Sequence, residues 1–498
     1  YLARLGGIQV PDVDLGGSLE SLSLSCVIPP SSESNRQPTF RVAAKCSEVH
    51  LDKSDLPPII RTASLTLHAD TSGPGTVHAS IEQSDANGQL TIATNLTGFS
   101  QMARDDDWRS LSLELRADGR DIVVNSDTIA ALRSFPTGKK VVEALQPTTG
   151  RGDIKLYLKN PQRKNGTAEM DLTMRDSTIT FRGFGKTERR IGFPLALEGA
   201  SGNVRLRRKR LLFEDMLASI PAQAGGGNVT LNGRIDLTQP PGQNTSLDIH
   251  GDNLKFSDEL AAALATLLRD DGALYKKLAP SGRASVHVMV RPANELPGSF
   301  FVEIKPLDAA MRWAGFPYDL NNLRGSIRVR QKDAQFDITG SHNNGKLKMR
   351  GRIPLRADHS IDECFEAEIT ADQLVLDEDL LTGLTVVIPE LEEQWRKASP
   401  QGGISGTVKV WRPQSTAPLS HDVRLSLHKV DLELPVKPWR ATSLVGQVLV
   451  QGSGAKARID FDALRGRLET PNSAPAQLAL LGHLESGEKP VRDLALVV

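Results

Sequence analysis

The sequence predicts a mainly β fold with short helices: an elongated repeat of antiparallel strands forming a curved, groove-like sheet, with one helical segment per repeat. Three observations carry this. Apolar and polar residues alternate with a period of two, as in Ile154, Leu156, Leu158 against Lys155, Tyr157, Lys159; this is the pattern of strands with one apolar and one solvated face. Turn residues such as Asn343-Asn344-Gly345 and Gly225-Gly226-Gly227 separate such runs and mark antiparallel hairpins. Four landmarks then recur in the same order every 120 to 132 residues, the signature of a repeat architecture.

The first landmark is a strand that ends in proline, at Pro29, Pro161, Pro292 and Pro413, spaced 132, 131 and 121 residues apart. The second is a short extended segment before a helix, GRDIVV at Gly119–Val124, GDNLKF at Gly251–Phe256 and ADQLVL at Ala371–Leu376. The third has proline, then glycine eight residues on, then an apolar strand: Pro194/Gly202/Val204, Pro317/Gly325/Ile327 and Pro438/Gly446/Val448. The fourth is the hairpin GGNVTLNGRI at Gly226–Ile235 and NGKLKMRGRI at Asn344–Ile353, with a looser copy ending in LALLGHL at Leu478–Leu484. These landmarks place repeat units at 1–118, 119–250, 251–370 and 371–498, each with about eight short strands. The first unit is expected to be cut at its start and the last at its end, as an excerpt from a longer array.

Along the chain, the alternating runs nominate one apolar face. It comprises Leu22, Leu24, Ile154, Leu156, Leu158, Met170, Leu172, Met174, Val286, Val288, Val290, Phe300, Val302, Ile304, Leu347, Met349, Val408, Val410, Val423, Leu425 and Leu427. Lys155, Lys159, His287, Lys348 and Arg350 belong to the opposite, solvated face. Helical segments are expected at 126–145, 257–278 and 377–398, with Ser126/Asp127 and Ser257/Asp258 as N-caps. Each should break midway, at Pro136, Asp270-Asp271-Gly272 and Pro389. Leu260, Leu264, Leu267 and Leu268, then Leu274 and Leu278, form apolar stripes suited to lie across the sheet as lids.

Composition narrows the function. The 498 residues carry 60 Lys+Arg and 60 Asp+Glu, so the electrostatic footprint of a nucleic-acid binder is missing. No apolar run reaches the 18 or so residues of a spanning helix. Cys26, Cys46 and Cys364 form no C-x-x-C; Cys26 and Cys46 read as small core residues, with a bridge between them as the alternative in an oxidising compartment. Gly183-Phe184-Gly185-Lys186-Thr187 lacks the leading glycine of a phosphate loop, since position 180 is Thr180. Asp105-Asp106-Asp107 lies beside Arg104 and Arg109 and reads as a solvated loop. The ten histidines are scattered, and neither a catalytic set, a metal site nor a cofactor is expected. Arg205, Arg207, Arg208, Lys209 and Arg210 form the dense basic run, a hairpin turn by default and a contact for anionic lipid headgroups by the sharper reading.

Taken together, the landmarks resemble those of the bacterial AsmA-like superfamily, which includes the TamB-like and YhdP-like proteins and is related to the repeating β-groove, bridge-like lipid-transfer proteins. The resemblance covers essentially the whole chain, through patterns of apolar and turn residues. It implies an inner-membrane anchor or an envelope partner outside this segment, a periplasmic location and a role in moving phospholipid toward the outer membrane.

The physical reading leads to the same place. At about 4.8 Å per strand, about eight strands would span roughly 38 Å per unit and nearly four units on the order of 150 Å. One short helical segment per unit covers little of so much apolar sheet, and aromatics are few: 14 Phe, 5 Trp and 4 Tyr. An acyl-chain groove without enzymatic activity is therefore expected, in which an aspartate at Val288 blocks lipid and costs folding little. The competing expectation is a structural spacer or adhesive stalk of β modules with sealed cores.

Overall fold

The structure is a computed structural model that describes residues 14–28, 39–52, 63–70, 72, 75–85, 88–98, 112–134, 136–160, 166–184, 191–240, 243–268, 273–292, 300–314, 316–355, 364–387, 391–434, 438–454, 456–471, 473–486 and 491–497. The chain divides into two compact units, Tyr1–Pro221 with Asn228–Ile249, and Ala222–Gly227 with His250–Val498. The first holds β1 (Asp14–Val27), β2 (Thr39–Asp52), β3 (Ala63–Asp70), β4 (Thr76–Asp85), β5 (Gly88–Thr97), β6 (Ser112–Val123), β7 (Thr149–Lys159), β8 (Thr167–Phe184), β9 (Ile191–Arg207), β10 (Arg210–Ser219) and β11 (Asn228–Asp236). Helices α1 (Ser126–Ser134) and α2 (Pro136–Leu145) separate β6 from β7. Strand β12 (Thr245–Lys255) crosses the division.

The second unit opens with α3 (Asp258–Leu268) and α4 (Ala273–Leu278). Then come β13 (Ser281–Val290), β14 (Phe300–Trp313), β15 (Phe316–Arg330), β16 (Asp333–His342), β17 (Gly345–Pro354) and β18 (Phe365–Val375). After α5 (Glu378–Val387) and α6 (Leu391–Ala398) follow β19 (Gln401–Arg412), β20 (Ser420–Glu433), β21 (Arg440–Ser453), β22 (Lys456–Glu469), β23 (Ala476–Ser486) and β24 (Val491–Val497). In each unit every strand pairs antiparallel with the next in sequence. Among the described residues no pairing joins β1 to β11 or β13 to β24, so neither meander closes into a barrel.

The helix pairs follow β6, β12 and β18, so the repeat contains six strands rather than about eight. At about 4.8 Å per strand a repeat spans about 29 Å. The sequence overcounts because bulges bend a strand without ending it. Strand β9 runs 17 residues through both Pro194 and Gly202, with register shifts at Met174/Ser177 and Ser177/Ile179 of its partner. Gly202, Gly325 and Gly446 adopt left-handed φ values of 134°, 115° and 138°, and a Cβ on Gly325 would stand 2.0 Å from the Asp337 carbonyl oxygen. That close approach, not a turn, is why the third landmark carries glycine.

The second landmark is likewise a bulge. Asp121, Asn253 and Gln373 sit at φ 53°, 57° and 54°. The freed N–H of Asp121 donates to Asp153 Oδ1 at 2.8 Å, and that of Gln373 to Ser405 Oγ at 2.9 Å. The helix caps repeat with the same period: Asn125, Ser257 and Asp377 accept from the N–H of Thr128, Leu260 and Leu380 at 2.9, 3.2 and 2.9 Å. The first cap is thus Asn125, one residue before the expected Ser126; Ser257 caps as expected. Helix breaks fall where Pro136, the 270–272 segment and Pro389 place them, although 270–272 and Pro389 themselves lie outside the described residues, as do Asp105–Asp107 and the side chains of Leu264, Leu267, Leu268 and Leu274.

A fifth feature repeats along the sheet. Phe213, Phe336 and Phe461 each pair across the ladder with the glycine of the fourth landmark, Gly233, Gly351 and Gly482. A Cβ on Gly351 would lie 2.2 Å from Phe336 Cζ. In that pair the ring occupies the space that the glycine leaves open, an arrangement that protects a bare stretch of backbone.

The cysteine bridge is excluded by register. Cys26 faces Phe40 and Cys46 faces Leu19, so the two thiols lie six residues apart along one hairpin, roughly 20 Å at the strand rise. A disulfide needs Cα atoms within about 7 Å. Cys26 is exposed and Cys46 half-buried, and none of the three cysteines is in a disulfide; Cys26 is therefore not a core residue.

Candidate functional site

Paired residues of an antiparallel ladder project to the same face, so registers trace how far an apolar face extends. In the first unit one row runs Leu19, Cys46, Leu65, Ile81, Ile92, Ala117, Leu156, Met170, Leu206, Leu211, Ile235. It crosses eleven strands without a polar side chain. Burial changes along it. Leu19 is 59% exposed, Cys46 through Leu156 are half-buried, and Met170, Leu206, Leu211 and Ile235 fall to 3% or less. The dry end lies where α2 packs against β8 and buries Val142, Ala144 and Leu145. Phe181 and Phe213, two strands apart, meet edge-to-face at 6.2 Å there.

The second unit repeats the gradient. Ile338, Met349, Ile369, Val408, Val423, Val450, Ile459 and Leu484 form one row. Ile338 is 3% exposed; the other seven are half-buried. Helix α5 packs on β15 and closes a core of Tyr318, Leu320, Leu323, Leu347, Leu374 and Leu380, with Phe316 and Trp395 against it. A line of bulges at Ala371/Leu374, Leu427/Val430, Thr442/Val445 and Phe461/Leu464 divides this part of the sheet. On one side Val430, Ala441, Leu444, Leu468 and Leu478 form a dry cluster. On the other the apolar row stays partly open.

The residues nominated from sequence fall into three groups. Leu22 and Leu24 are exposed. Ile154, Leu156, Leu172, Phe300, Ile304, Met349, Val408, Val410, Val423, Leu425 and Leu427 are half-buried. Leu158, Met170, Met174, Val286, Val288, Val290, Val302 and Leu347 are packed dry. Val288 is 2% exposed against Val302 at 0%, so it is not the floor of an open trough; no aspartate there could reach water. Leu65, Ile81, Ile92, Val450 and Ile459 extend the rows beyond the residues expected there, and their alternation is visible in the sequence.

The opposite face is polar. His287 pairs with Glu303, Lys348 with Thr339, and Arg350 with Asp337. Of the basic run, Arg205 meets Glu214 at 3.0 Å, Arg207 meets Asp171, and Arg210 meets Asp236 at 3.1 Å. Arg208 and Lys209 form the exposed turn, both with positive φ. Three of these five cations are thus held by carboxylates of their own sheet, and the headgroup reading rests on the turn.

Arg175, with help from the Asp121 N–H, holds the Asp153 carboxyl below its ordinary value of 3.8. A depressed carboxyl contributes stability above its unfolded value and loses it as pH falls through the folded one. The melting-temperature gap between wild type and Asp153→Asn is therefore expected at pH 7 and should close on acidification below the carboxylate range. A gap that persists in acid would mean that Asp153 acts through packing.

No protein family, curated protein or solved structure matches the chain.

Proposed function

We propose that this chain is a non-enzymatic lipid-binding and lipid-transfer segment of an AsmA-like envelope protein, in which phospholipid acyl chains lie along the half-open apolar rows. The observation that supports this reading is the gradient itself. Dry cores beside the helices give way to apolar rows that remain accessible from Cys46 to Leu156 and from Met349 to Leu484. Each acyl methylene removed from water there gains about 0.8 kcal/mol, so a chain can be held and passed between equivalent positions without a cofactor. The polar outer face suits an aqueous compartment, and the periplasm between two membranes is the setting this reading assigns. A spacer with sealed cores is less well supported, because no apolar side chain of β1–β6 is buried among the described residues.

Val423→Asp tests the reading. Val423 is half-buried in the middle of the second row, so its carboxylate keeps contact with water and the melt should change little. Phospholipid retained after incubation with phosphatidylethanolamine–phosphatidylglycerol vesicles, counted by mass spectrometry, should fall severalfold. Arg424→Gln, exposed on the other face, should keep its lipid. A wild-type chain that retains no phospholipid, or a variant that retains as much, would reject the proposal.

A further inference from the structure

In the second unit, His342 at the end of β16 is buried, with its side chain 7% exposed. Its Nδ1 lies 2.7 Å from the Asp319 carbonyl oxygen. A carbonyl only accepts, so Nδ1 carries the proton and donates it. In the neutral ring that leaves Nε2 with a lone pair. Nε2 is aimed at two carboxylates, 3.4 Å from Asp379 Oδ2 and 3.8 Å from Asp377 Oδ2, and it has no hydrogen-bond partner. Three acceptors thus converge, all within 4.8 Å of one another. Acceptors do not attract one another; such a cluster needs a positive centre.

The spacing identifies the kind of centre. Zinc-class bonds of about 2.0–2.1 Å in tetrahedral geometry set neighbouring donor atoms about 3.3–3.4 Å apart. The Asp379 contact has that separation, and the Asp377 contact needs only a small closure. The surroundings are those of a metal-bound histidine, whose other nitrogen donates to a backbone carbonyl and so fixes the tautomer and the ring plane. Tyr318 stacks on the ring at 4.0 Å, holding it in place. Asp377 spends Oδ1 on capping α5, through the Leu380 N–H, while Asn343 Nδ2 approaches Oδ2 at 3.4 Å. The buried Tyr318 hydroxyl also lacks a partner. Asp379, 63% exposed, leaves a side open for water. The equivalent caps after β6 and β12 are Asn125 and Ser257, so of these three described caps Asp377 alone is a carboxylate.

We propose that His342 Nε2, Asp377 Oδ2 and Asp379 Oδ2 are protein ligands of a divalent transition-metal site of the zinc class, completed by water, which pins the start of α5 to the end of β16. The experiment uses the purified full chain, free of any affinity tag, with Co²⁺ as the optical probe and Zn²⁺ as competitor. Wild type should take up Co²⁺ with the intense visible absorption of a tetrahedral site, and Zn²⁺ should abolish it. Asp379→Asn, at an exposed position, should melt normally without metal yet bind at least about tenfold more weakly; His342→Gln should lose the absorption. His428→Gln, exposed and far along the chain, should keep it. The same absorption in wild type and Asp379→Asn, or no saturable uptake by wild type, would overturn the site. So would nitrogen NMR showing His342 protonated on both nitrogens under saturating Zn²⁺, because the positive centre would then be the ring itself.

Discussion

Val288→Asp should unfold the second unit well below the wild-type transition. Val288 is 2% exposed, Val302 opposite it 0%, and Val329, next in the same row, 5%. A carboxylate there would have neither water nor a cation. An uncompensated buried charge costs on the order of 3–5 kcal/mol, against a total of about 5–15 kcal/mol for a folded domain. In a unit of this size each kcal/mol moves the midpoint by about 2–4 °C, so a fall of roughly 6–20 °C is expected by calorimetry. Paired with Val423→Asp, the experiment separates the dry part of the apolar face from the open part. Equal melts for the two variants would mean that burial does not distinguish these positions.

Phe213→Ala should be the most damaging truncation in the first unit. The ring is 1% exposed, meets Phe181 edge-to-face and pairs across the ladder with Val204 and Gly233. Because Gly233 has no side chain to move into the vacated space, the cavity cannot collapse from that side. Truncations of buried Phe cost about 3–5 kcal/mol, and this one belongs at the upper end. Phe213→Leu, which keeps most of the volume, should recover most of the loss. A Phe213→Ala midpoint within a few degrees of wild type would show that the ring is not a support of the sheet.

Periodicity made much of this fold legible. The helix pairs, their midpoint breaks and the common face of Val286, Leu347 and Val423 all follow from patterns of two and of about 120 residues. Strand count did not, because a bulge looks like a turn in sequence: Gly202 and Asp121 carry turn chemistry yet sit within or at the end of continuing ladders. Burial was also illegible. Val288 and Val423 occupy equally alternating runs, yet one is packed dry and the other half-open, because alternation records which face a side chain takes and not what packs over it. The His342 cluster was hidden for a different reason. Its ligands lie 35 and 37 residues apart, and it takes the return path through β17 and β18 to bring the start of α5 back beside the end of β16.

Strictly consecutive pairing also governs the order of events in folding. Each strand's partner is the next one to leave the ribosome, so no strand waits for a distant segment, and the loop to be closed stays short at every step. A chain built this way behaves as a line of coupled elements, in which stability is a sum of local and nearest-neighbour contributions and folding can spread from any nucleus. Opening is then local as well. Hydrogen exchange should be slow beside the helix pairs, fast in β1–β5, and graded between them, instead of falling together at a single global transition.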